Sequence, residues 1–106
     1  MVAVIFLNTY KEVNEDYVNF PTANEKVKFT GTYLGPYDGI YNLDGESGVI
    51  QVGSSYVIVS NLKLQGLEGQ SVTVEGYFVN DKVDKDTVHI NGKYVSGENF
   101  CIKKVV

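Results

Sequence analysis

The chain has 106 residues, 43% of them hydrophobic and 21% charged, which suits one domain with one core and excludes a disordered or fibrous chain. Its net charge is −4, and all 9 basic residues are lysine. Without arginine it lacks the fork that grips phosphates and guanines bidentately, although lysines gathered on one face can still follow a phosphate backbone.

Valine occurs 17 times and alanine only twice. Branched and aromatic side chains suit a pleated surface, and a helical bundle would use more alanine, so the composition predicts a mostly β protein. Residues 2–7 form an apolar run that reads as a first strand. They are too few for a membrane span and lack a basic flank. Over residues 9–21, Tyr10, Val13, Tyr17 and Phe20 fall on one helical face. Thr9 with Glu12 has capping-box spacing and Pro21 supplies a stop, so a short helix is predicted here.

Residues 27–35 (VKFTGTYLG) read as the first long strand, with Val27, Phe29, Gly31 and Tyr33 on one side and Lys28, Thr30 and Thr32 on the other. Gly31 is placed to bend it. GPYDG (35–39) is a turn. A short strand over 40–43, the turn DGESG (44–48) and a returning strand over 49–52 follow. Asp44 and Glu46 serve the turn. After GSS (53–55), residues 56–59 form another strand. Leu62, Leu64 and Leu67 are expected to plug the core from an irregular segment, too short for a confident helix. Residues 71–79 alternate Val72, Val74 and Phe78 with Thr73, Glu75 and Tyr77. NDKVDKD (80–86) reads as a charged, solvated loop. Asn91-Gly92 between apolar stretches is a strong hairpin signal. After SGEN (96–99), residues 100–106 close the chain as a strand.

With the strands in order, three pieces resemble the OB-fold, in particular bacterial and phage domains of that class: VKFTGTY, YNLDGESGVIQV and LEGQSVTVEG. The resemblance covers residues 27–106. It implies an all-β, five-to-six-stranded Greek-key barrel in a single domain, with residues 1–26 as an N-terminal extension. The alternation places Val27, Phe29, Leu43, Ile50, Val52, Val72, Val74 and Phe78 in the core. The Asn91-Gly92 hairpin is additional to the five strands.

In that family the ligand face lies across the second and third strands, flanked by the loops after the first and fourth. Carried over, the candidate ligand residues are Tyr33, Tyr37, Asn42, Gln51 and Tyr77, with Lys28, Lys82 and Lys85 to meet phosphates. Tyrosine rings can stack on bases or sugars. The alternative is that Tyr33 and Tyr41 fill the core and the rest are ordinary surface residues. Asp81, Asp84 and Asp86 lack calcium-loop spacing and read as solvated. His89 alternates with Val88 and Ile90 and should face outward. Cys101, the one cysteine, reads as a buried thiol that leaves the compartment open. The cytosol is slightly favoured over export. No phosphate loop, metal motif or nucleophile elbow is present, so no cofactor and no catalysis are expected. The expected partner is single-stranded nucleic acid. The alternative is a protein- or glycan-interaction module of a larger exported or phage-encoded assembly, or self-association through a sheet edge.

Overall fold

The computed structural model describes residues 9–37, 39–40, 46–79 and 85–106. The expected strand over 2–7, together with Tyr41, Asn42, Leu43, Asp44, Asp81, Lys82 and Asp84, lies outside the described residues. The protein is all-β. Its strands are β1 (Lys11–Glu12), β2 (Val27–Pro36), β3 (Gly39–Ile40), β4 (Ser47–Val52), β5 (Ser55–Ser60), β6 (Ser71–Phe78), β7 (Lys85–Ile90) and β8 (Lys93–Val105). One helix, α1 (Glu15–Asn19), and one 3-10 turn (Asn61–Lys63) complete the described elements.

Five strands close a ring. β2 pairs antiparallel with β4 on one edge and with β6 on the other. β4 continues to β5, β5 runs parallel to β8, and β8 returns antiparallel to β6. Closure gives each of these five strands two neighbours, while β1 and β3 remain at the ends of the described sheet. Alternation along each strand fills the interior. Val27, Phe29, Tyr33, Ile50, Val52, Val57, Val59, Val72, Val74, Phe78, Phe100 and Ile102 form one buried cluster. Of the expected core residues, every one that is described is buried there. At its centre Phe100 packs edge to face against both Phe29 and Phe78, 4.9 Å from each, while the Phe29 and Phe78 rings lie near parallel at 6.2 Å.

Both ends of the ring are sealed. Leu64 enters the core after the 3-10 turn, while Leu62 stays exposed and Leu67 is half-buried. The other plug is Val18 from α1. The helix is not the one predicted. Residues 11–12 pair in parallel with Val27 and Lys28, and the Lys11 and Val13 amides donate to the Lys26 and Lys28 carbonyls. That ladder satisfies the backbone which a helix from Thr9 would have used. The helix starts later, where the Asn14 side chain accepts from the Asp16 amide at 3.1 Å. The predicted apolar stripe is thereby broken, and Phe20 is left 87% exposed.

The C-terminal half differs too. Residues 96–99 do not interrupt a strand; β8 runs through them. Its first half pairs with β7, its middle with β5 and its last part with β6. Asn91 (φ 48°) and Gly92 (φ 83°) make the tight turn that the dipeptide predicted. β7 also begins inside the expected loop, so Asp86 is a buried strand residue rather than a solvated one.

Candidate functional site

By sequence the ligand face falls across residues 40–43 and 49–52, but residues 39–40 form β3 and pair with β7. The second and third strands of the ring are therefore β4 and β5, and the corresponding face is their outer one. Val49 and Ile58 point out of the ring there, opposite one another. Both are nonetheless fully buried. The β7–β8 hairpin lies over them, and Val88, Ile90 and Val95 complete a second apolar cluster, with Leu34, Tyr37 and Tyr56 packed at its margin. This face is therefore a covered layer. Gln51 is half-buried at its rim, between Thr32 and Tyr56. Tyr37 is fastened by its own backbone: its amide donates to the Ser47 carbonyl at 3.0 Å, and its hydroxyl reaches the Leu34 carbonyl at 3.4 Å.

Tyr33 is removed from the ligand set. It is fully buried, and its ring lies against Gly48. Burial first, and then the charges of Glu68 and Glu46, push its hydroxyl up to about 12. The alternation that put Tyr33 beside Phe29 was the better guide to its place.

The outward side of the hairpin carries Lys85, Thr87 and His89 on β7, with Ser96 and Tyr94 on β8 opposite the last two, whereas Glu98, opposite Lys85, is buried. Lys85 and His89 are exposed, as expected. The His89 and Tyr94 rings sit 4.8 Å apart, and Tyr94 is 76% exposed. The Thr87 and Ser96 hydroxyls lie 3.3 Å apart.

A third surface spans the exterior of β2, β6 and β8. Lys28 stands opposite Glu75, and Glu75 stands opposite Lys104. The Thr30 and Thr73 hydroxyls share a 2.7 Å hydrogen bond beside them. Tyr77 faces outward two residues along β6, with the Lys103 ammonium 5.5 Å from its ring centroid. Cys101 is the cross-strand neighbour of Tyr77 and is half-buried rather than buried, because it alternates with the inward Phe100 and Ile102. Here the pairing slips: Glu75 meets Lys104, but Gly76 meets Ile102. The extra residue is Lys103. A β-bulge of this kind turns two adjacent side chains outward together. Gly76 permits it, since a Cβ there would overlap the Cys101 carbonyl oxygen.

Of the described candidates, Lys28 and Tyr77 therefore share one face. Gln51 and Tyr37 lie on another, and Lys85 lies on the hairpin. Lys103 and Lys104 were missed by reading the sequence. A signal existed: strict alternation from Phe100 would send Lys104 into the apolar core, so the lysine pair itself marks a bulge.

Near α1, an open trough of about 460 Å3 is lined by Lys11, Glu12, Val13, Asn14 and Tyr17. Its lysine is already engaged. Lys11 lies 3.3 Å from Glu25 and 5.0 Å from the Tyr17 ring centroid, and the Tyr17 hydroxyl donates to Glu25. Among the described residues, no group of three or more His, Cys, Asp or Glu side chains is arranged to hold a metal ion. No described helix is long and apolar enough to cross a membrane. The chain matches no family model and no curated protein.

Proposed function

We propose that the chain is a non-catalytic binding module of the OB type and that its ligand is single-stranded nucleic acid. The observation that carries this reading is the ring β2-β4-β5-β8-β6. Its strand order, with the third ring strand parallel to the fifth, fits the Greek-key barrel that the sequence motifs imply. Barrels of that kind expose β surface on which aromatic rings and cations can hold a flexible strand. An outward-facing, half-buried tyrosine with a lysine beside its ring supports the choice of ligand, while the net charge of −4 weighs against a polyanion.

The test is a fluorescence-anisotropy titration of a labelled mixed-sequence DNA strand at low and at moderate salt. Binding at low salt that weakens as salt rises is expected, because counterion release drives such contacts. No binding at low salt would sink the nucleic-acid reading.

A second reading, a protein- or glycan-interaction module, draws on the exposed His89–Tyr94 pair of the hairpin. Aromatic side chains of this kind anchor interfaces. Loss of partner capture on Tyr94→Ala, with DNA inert, would select it.

A further inference from the structure

We infer that the nucleic-acid strand lies across the exterior of β2, β6 and β8, on Lys28, Tyr77, Lys103 and Lys104, and not across β4 and β5. This rests on the reading above and names the face that serves it. Two independent observations lead here. The first is exclusion. On β4 and β5 the outward Val49 and Ile58 are wholly covered by the chain's own hairpin, so a base has no flat surface to reach. The second is the local chemistry of the other face. It offers an outward aromatic ring on a rigid central strand, with a lysine already over that ring. Lys28 and Lys104 stand on the strands either side of β6, aligned with Glu75.

The occupant follows from charge and shape. Tyr77 is half-buried, and a cation beside the solvent-facing part of such a ring presents a surface for a base next to a charge for its phosphate. β2, β6 and β8 lie side by side, so the lysines mark a track running across the strands. Bases on that track would stack on Tyr77 while phosphates pass Lys28, Lys103 and Lys104. The Thr30 and Thr73 hydroxyls bond one another beside the track and add neutral polar contacts. Glu75, between two of the lysines, and Glu12, beside Lys28, oppose the polyanion. They limit its affinity and make a sign test possible.

The bulge at Gly76 makes this arrangement. In a regular strand only one of Lys103 and Lys104 would face outward. With the slipped register both are exposed.

The experiment measures affinity for a labelled oligothymidine strand across a salt series, using the whole chain. Three phosphate contacts predict a slope of log affinity against log salt of about −2, since each contributes roughly 0.7 on single strands. The double variant K103Q/K104Q should reduce that slope to about −0.7. Both residues are exposed, so the variant keeps its fold, which the circular dichroism spectrum and melting temperature verify. Tyr77→Ala should weaken binding about 5- to 150-fold at fixed salt, the range for one lost stacking partner, and Tyr77→Phe should restore most of it. Glu75→Gln should tighten binding.

Wild-type binding that is unchanged in K103Q/K104Q but lost in Gln51→Ala and Tyr56→Ala would overturn the assignment of the face while leaving the functional reading intact. No wild-type binding at low salt would overturn both. Equal affinity for heparin, with Tyr77→Ala silent, would reduce the surface to a general polyanion patch and also refute the inference.

Discussion

Ile58→Ala tests the architecture that decides which face is free. Ile58 belongs to β5 and points out of the ring, yet it is fully buried because the β7–β8 hairpin covers it. The substitution deletes Cγ1, Cγ2 and Cδ1. At roughly 0.8 kcal/mol for each buried carbon, the transfer loss alone is about 2.4 kcal/mol. The cavity left between two packed layers raises the expected cost to about 3 kcal/mol, within the measured range of about 2–5 for such truncations. For a domain of this size that is a fall in melting temperature of about 10–20 °C. Val88→Ala, from the covering side, should cost about 2 kcal/mol by the same reasoning. The two residues share one cluster, so the double variant should cost less than the sum of the singles. Urea denaturation followed by circular dichroism gives all three values, with an unchanged m-value expected. An undocked hairpin would leave Ile58 on an open surface, where substitutions change stability by under about 0.5 kcal/mol. A result of that size for both single variants would refute the covered face and return β4 and β5 to candidacy as the ligand surface.

Gly76→Ala would drive a methyl into the Cys101 carbonyl and the Phe100 ring, neither of which can yield without moving β8. A loss of about 3 kcal/mol or more is expected by thermal denaturation, and a melting temperature within a degree of wild type would contradict the described register. Glu15 holds α1 against the β4–β5 turn. Its carboxylate accepts from the Ser54 amide at 3.0 Å, the Ser54 hydroxyl at 2.7 Å and the Ser55 hydroxyl at 3.0 Å. The Ser54 hydroxyl, then the Ser54 amide and the Ser55 hydroxyl, hold it below the ordinary value of 4.5. Glu25 is lowered likewise, by the Tyr17 hydroxyl and then by Lys11. A depressed folded value means that the stabilisation is present above the unfolded value and is lost as pH falls through the folded one. Melting temperature should therefore drop on acidification below about pH 4.5, with Glu15→Gln showing a flatter acid limb, and parallel curves for the two proteins would contradict the latch.

The strand interiors were legible in the sequence because side-chain alternation is a local property. Val27, Phe29, Ile50, Val52, Val72, Val74 and Phe78 could be placed inside from the period-two pattern alone. The Asn91-Gly92 turn was legible for an equally local reason, since that dipeptide accepts two consecutive positive φ values. The helix was misplaced because its true start depends on a partner. Residues 11–13 are taken up by β2, a contact between segments that only folding brings together. Tyr33 was overvalued as a ligand residue because an aromatic ring reads the same in a core as on a surface.

The sequence by itself determined a mostly β protein, its inward-facing residues and the position of its tightest turn, because those follow from alternation, branching and backbone freedom within a few residues. Tertiary structure decided which outer face remains free. Whether Val49 and Ile58 meet a ligand or the chain's own hairpin depends on where β7 and β8 fold back, some thirty residues later. The pairing of Lys103 and Lys104 beside Tyr77 depends on a register slip between two strands that are distant in sequence. Alternation is written in each strand separately, whereas coverage and register exist only between strands.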